Sequence, residues 1–109
     1  MTTYKHIDVA QTKARLANDE VVVVDIRDEN SFAQAHIPGS RHLDNGSLSR
    51  FLAEVDYETP VVVTCYHGIS SQPAAAYIAE QGFDEVYSMD GGFTLWQSTF
   101  PEDVASDKE

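Results

Sequence analysis

Apolar residues in this chain alternate between two spacings. Consecutive β-branched runs, Val21 to Val24 with Ile26 and then Val61 to Val63, are separated by stretches in which apolar residues recur every three or four positions. Uninterrupted runs of this kind belong to strands covered on both faces, hence to a parallel sheet. They predict strands over 21–26 and 61–64, the second opened by Pro60 and closed at Cys65. Helical spacing fills the intervals. Asp8 reads as an N-cap with Gln11 completing a capping box and Ile7 as its staple, for a helix toward Asn18. A short helix is expected over 28–35, a turn at Pro38-Gly39 and a short strand over 41–43. Leu48, Phe51, Leu52 and Val55 share one helical face. Ser70 or Ser71 caps the next helix, with Pro73 near its first turn and Gly82 just past its end. A strand over 85–88 follows, and Gly91-Gly92 leads into a last helix through Trp96. Such alternation means an α/β domain with a mostly parallel sheet. It spans 1–100, and 101–109 reads as a solvated acidic tail.

Size and charge narrow the function. A chain of 109 residues is suited to one domain with one core. Seven Lys and Arg against 18 Asp and Glu give a formal net charge of -11. That disfavours nucleic acid, whose binding needs clustered cations, and equally an anionic membrane surface. An anionic substrate meets repulsion at long range, so any anion site must be built locally. The first fifteen residues show no apolar run behind a basic start, so no secretory signal is expected, and no run is long enough to span a bilayer. The single Cys rules out an internal disulfide and suits a reducing compartment, so the expected location is cytoplasmic. His6, His36, His42 and His67 show no metal-ligand spacing, and no metal is expected.

Chemistry collects at Cys65. Sites in open parallel sheets form beyond the carboxyl ends of strands, and Cys65 lies at such an end. Tyr66, His67, Gly68, Ile69, Ser70 and Ser71 follow, and then a helix. A tight strand-to-helix loop can turn successive N–H groups inward as an anion nest. The helix N-terminus adds unpaired donors and about half a positive charge. Both favour thiolate over thiol and so lower the Cys pKa. Gly68 supplies the backbone freedom for the curl.

The alternative is a buried thiol packed as a small hydrophobe, against which the polar loop and strand-end position argue. Spacing alone leaves sulfur transfer, phosphoryl transfer and redox work open. His67 is expected to line the loop, because a thiolate held by amides needs no base. Ser70 and Ser71 are expected to be caps and donors to the sulfur, and Tyr66 a pocket wall. Asp25 and Arg27, at another strand end, are expected to hold neighbouring loops. Phe93 and Trp96 read as core or pocket lining.

Three motifs together resemble a known family. Val24-Asp25-Ile26-Arg27-Asp28, then Ser31-Phe32, then His36-Ile37-Pro38-Gly39-Ser40 is similar to the N-terminal rhodanese signature. Cys65 with its loop matches the active-site position, and Asp90-Gly91-Gly92-Phe93 through Trp96 resembles the C-terminal signature. The resemblance covers most of the chain, in order, and implies a three-layer α/β/α sandwich around the sheet. It also implies a thiosulfate sulfurtransferase working by a ping-pong reaction without a cofactor. The Cys65 thiolate takes the sulfane sulfur of thiosulfate and expels sulfite. The loop from Tyr66 through His67, Gly68, Ile69 and Ser70 to Ser71 holds the persulfide. Cyanide, a thiol, or a dithiol such as thioredoxin removes the sulfur.

The sequence departs from the pattern at three places. Ala35 stands where the family often has Gly, so a slightly different turn is expected. Ile69 replaces a polar residue, and the loop lacks the Arg or Lys often seen in thiosulfate-preferring members, so weak thiosulfate binding is expected and another sulfur donor is an alternative. Rival readings are a sulfur relay between proteins, a non-catalytic binding module of the same fold, and a Cys-dependent phosphatase. The last needs a cation closing the loop, where this chain has Ser70 and Ser71.

Overall fold

The computed structural model describes residues 3–107. Strands and helices alternate as β1 (Lys5–Ile7), α1 (Val9–Ala17), β2 (Val22–Asp25), α2 (Glu29–Gln34), β3 (Arg41–His42), α3 (Leu48–Glu54), β4 (Val61–Thr64), α4 (Ser71–Glu80), β5 (Val86–Met89) and α5 (Gly92–Thr99). The sheet order is β1-β5-β4-β2-β3, and all four pairings are parallel. The valine runs owe their lack of alternation to burial on both faces. Val61 and Val63 enter one core with Phe51 of α3 and Ala75, Ile78 and Ala79 of α4. Val62 enters the opposite core with Val9 of α1 and Phe93 and Trp96 of α5. This is the expected three-layer α/β/α sandwich, with α3 and α4 on one face and α1 and α5 on the other.

The capping box forms as read. The Asp8 carboxylate accepts from the Gln11 amide at 2.7 Å, and the Gln11 side chain accepts from the Asp8 amide at 3.2 Å. Ile7 meets no large apolar residue at the staple position. Its partner position is Thr12, whose hydroxyl donates to the Asp8 carbonyl at 2.8 Å, while Ile7 is buried at the end of β1. The sequence gives no strand at β1 because two of its three residues are exposed, as an edge position pairing only with β5 allows.

The stretch after α5 lies against the domain over its described part, 101–107, rather than standing free in solvent. The Trp96 indole donates to the Asp103 carbonyl at 2.8 Å. Ala105 and His36 exchange backbone bonds of 2.8 and 2.9 Å as an antiparallel bridge, and the Asp107 amide reaches the Ala33 carbonyl at 2.8 Å. Unsatisfied backbone groups at 33–36, which charge alone does not reveal, draw it in. The last two positions of the expected tail lie outside the described residues. Among the described residues no helix is long and apolar enough to cross a membrane.

Candidate active site

Cys65 follows the last residue of β4, the middle strand of the sheet, and is only 4% exposed. Its sulfur is tied to the start of α4. Sγ accepts from the Gly68 amide at 3.2 Å and from the Ser71 amide at 3.3 Å. A helix begins with amides that have no intrahelical partner, and a side-chain oxygen ordinarily accepts from them. Here the sulfur fills that place. The expected serine cap is not made: Ser70 sits at the N-cap without a side-chain cap bond and is exposed. The buried Ser71 hydroxyl instead pairs with that of Ser88 at 2.8 Å.

The loop curls because a second helix end draws its carbonyls away. The Phe93 amide donates to the Cys65 carbonyl at 2.7 Å, and the Thr94 amide to the Tyr66 carbonyl at 3.0 Å. In a planar trans peptide the C=O and N–H point in opposite directions. Fixing the Tyr66 carbonyl on α5 therefore turns the His67 amide the other way, where it bears on the sulfur. This contact needs glycine at its base. Gly92 has φ +61°, and a Cβ there would lie 2.6 Å from the Cys65 oxygen and from the Tyr66 carbonyl. Gly68 has φ +82°, and a Cβ would come within 2.8 Å of the Gly91 nitrogen.

Burial pushes the Cys65 thiol up and is the largest single influence. The Ser71 hydroxyl and the amides of Ser71, His67 and Gly68 outweigh it, and the thiol lies below its ordinary value. Ser71→Ala should raise the pKa again. Iodoacetamide alkylation at neutral pH should slow about tenfold, as expected for losing one hydrogen bond to a charged acceptor. The sign extends to stability. A pKa lower in the folded than in the unfolded chain stabilises the fold above the unfolded value, and this is lost as pH falls through the folded one. The stability gap between the parent chain and Ser71→Ala should thus widen from pH 6 to pH 9 in denaturant titrations.

The other expected loop residues divide. Gly68 and Ser71 reach the sulfur, His67 through its amide only. Among the described residues, Tyr66, Ile69 and Ser70 make no bond to Sγ. His67 and Ile69 point outward, Ile69 being 71% exposed. The Tyr66 side chain leaves the loop for the start of α2, where its hydroxyl contacts the Asp28 carboxylate and lies 2.6 Å from the Ser31 hydroxyl. That hydroxyl, with the amide and hydroxyl of Ser31, holds the Asp28 carboxyl far below the usual carboxylate range.

Asp25 and Arg27 form the expected ion pair, buried, with Nη2 2.8 Å from the carboxylate. Nη2 also donates to the Ala35 carbonyl at 2.6 Å, and the guanidinium lies over the Phe93 ring at 4.2 Å. Ala35 itself is extended, with φ -164° and ψ 128°, a backbone any residue adopts, so no glycine is required there. Sequence reasoning missed the amides of Phe93 and Thr94, the Gln72 side chain donating to the Gly68 carbonyl at 2.9 Å, and Ser88. The Gly91-Gly92 pair was the available signal for the first two, since paired glycines mark close backbone approach.

The family described as Rhodanese-like domain matches residues 8–99. The chain belongs to the rhodanese family. As a rhodanese it is similar over nearly its whole length to curated relatives named thiosulfate sulfurtransferase GlpE. That of Stutzerimonas stutzeri is 57% identical, covering 100% of this chain and 99% of the relative. That of Pseudoalteromonas translucida is 50% identical, covering 93% and 96%. Solved structures share the fold at lower identity. The Alr3790 protein of Anabaena superposes with a TM-score of 0.82 at 20% identity, covering 94% of each chain. A yeast protein tyrosine phosphatase of the rhodanese family superposes with a TM-score of 0.72 at 18% identity, covering 96% and 94%. In this rhodanese the N-terminal motif residues brace the site rather than touch the sulfur. Asp25 and Arg27 form a buried pair that holds the Ala35 carbonyl, Asp28 holds Tyr66, and His36 stacks on Phe32 at 4.0 Å while donating to its carbonyl.

Proposed function

We propose that this chain is a thiosulfate sulfurtransferase in which Cys65 carries the sulfur. One observation supports the assignment of Cys65 above the others: its buried sulfur accepts from two backbone amides, that of Gly68 in the loop and that of Ser71 at the first residue of α4. The Cys65 thiolate attacks the sulfane sulfur of thiosulfate. A new S–S bond forms, the bond to the sulfonate sulfur breaks, and its electron pair leaves with sulfite. The outer sulfur is then held by the remaining loop donors between Gly68 and Ser71, the amides of Ile69 and Ser70. Cyanide, a thiol, or a dithiol such as thioredoxin attacks that outer sulfur and returns the electron pair to Sγ. No cofactor enters either step, and a reducing cytoplasm suits a lone thiol that must cycle.

A phosphatase reading fails on charge. The groups on the sulfur are neutral amides and a hydroxyl, and Arg27 is engaged with Asp25 and the Ala35 carbonyl. Transfer of a phosphoryl group needs its three oxygens neutralised.

The deciding experiment incubates the protein with thiosulfate, removes the excess and takes an intact mass. A gain of one sulfur atom that cyanide strips off supports the cycle, and no gain argues against thiosulfate as donor. His67→Ala should retain at least about a third of the cyanide rate, because the side chain is exposed and only its amide bears on the sulfur. A collapse of rate at unchanged stability would give the imidazole a direct part.

A further inference from the structure

A cleft of about 570 Å³ is lined by residues of α3, of α4 and of the segments that follow β2 and β3, and by none of the sulfur loop itself. Thiosulfate and cyanide are ions of a few atoms, whereas a cleft of this size suits an organic ligand (on the order of 300–1,000 Å³). Ile26 at the end of β2, Leu48 of α3, and Ala74 and Tyr77 of α4 form its walls, and Asp44 and Asn45 form its polar side.

Strand register places one wall of this cleft, Ile26, next to Cys65. Asp25 is paired with Thr64, so Ile26 and Cys65 are the residues just past the ends of neighbouring strands, which run about 4.8 Å apart. Ile26 faces the α3–α4 layer, and strand alternation carried one residue past β4 directs Cys65 the same way. Val22, Val24 and Ile26 pack with Val61 and Val63 on the α3–α4 side, and Cys65 is the next odd position on β4's path. Ala74 is one turn along α4 from Ser71, whose amide holds Sγ.

We propose that this cleft seats the carbon chain of a small acceptor thiol, uncharged or cationic, and so presents its sulfur to the Cys65 persulfide. The inference rests on the sulfurtransferase function proposed above and names its acceptor class. The lining contains no Lys or Arg and includes the Asp44 carboxylate, on a chain of net charge -11, so a carboxylated thiol is repelled. In the step, the acceptor thiolate attacks the outer sulfur of Cys65–S–SH. The new bond is R–S–S, the Sγ–S bond breaks, and its electron pair stays on Sγ as the thiolate. The proton leaves with R–S–SH.

The test loads the enzyme with thiosulfate and discharges it with 2-mercaptoethanol, 4-mercapto-1-butanol and 6-mercapto-1-hexanol, each rate divided by that for cyanide. Partial burial of the chain predicts about a twofold gain per methylene. Tyr77→Ser, at a half-exposed position, should flatten that slope. The rate with 3-mercaptopropionate should fall about tenfold below that with 3-mercapto-1-propanol, and Asn45→Lys should narrow the gap. A slope absent in the parent chain, or unchanged in Tyr77→Ser, overturns the cleft as acceptor site while cyanide turnover stands. Absence of cyanide turnover itself would instead overturn the sulfurtransferase function, and the cleft proposal with it.

Discussion

Cys65→Ser should abolish sulfur transfer, by at least about a thousandfold, while the protein stays folded. The chemical half follows from covalent catalysis. A serine hydroxyl is not ionised by amides that suffice for a thiol, and it forms no persulfide. The structural half follows from what the sulfur does in the fold. It accepts from the Gly68 and Ser71 amides in a site with almost no exposure, and a serine oxygen accepts from the same donors. The melting temperature should therefore change by no more than a few degrees. Thiosulfate treatment followed by intact mass, beside a thermal melt, checks both halves. Uptake of one sulfur atom by the serine variant would remove Cys65 from the mechanism. A variant that fails to fold would show that a serine oxygen does not replace the sulfur as acceptor for these amides.

Gly92→Ala is expected to be the most damaging single-methyl change in the site. The added Cβ would meet three backbone atoms of Cys65 and Tyr66 at 2.6 Å, and backbone cannot swing aside as a side-chain tip can. The positive φ adds its own cost for any residue with a Cβ. Together these imply about 2–4 kcal/mol of destabilisation and a melting temperature lower by about 10 °C or more. Relief of the overlap must push α5 off the loop, releasing the carbonyls that Phe93 and Thr94 hold. The His67 amide then loses its aim, and displacements of this size cost about a hundredfold in rate. The rate should be measured well below the melting temperature, per folded molecule. A full rate in a destabilised variant would separate the α5 contact from sulfur chemistry.

Much of the fold was readable because the valine runs admit one explanation. Val61 to Val63 have no polar face, so helices had to cover both sides, and parallel pairing follows. The place of Cys65 just past the carboxyl end of β4 was readable for a related reason, since the same valine run fixes where that strand ends. What the sequence concealed depends on backbone groups, which carry no residue code. The capping of α4 by sulfur, the grip of α5 on the Cys65 and Tyr66 carbonyls, and the bridge between His36 and Ala105 are all of this kind. β1 was hidden because its Lys5 and His6 face solvent at a sheet edge. Tyr66 looked like a pocket wall because nothing local reveals that Asp28, 38 positions earlier, takes its hydroxyl.

The sulfur that completes α4 also limits how this chain can evolve. A lineage that abandoned sulfur chemistry would be released from keeping cysteine at 65, yet the two amides would still require an acceptor. Serine or aspartate meets that requirement, whereas alanine or leucine leaves buried donors empty at a cost of about 1–3 kcal/mol each. Descendants that have lost the activity should therefore drift toward oxygen-bearing residues at this position, which would persist in them as a helix cap.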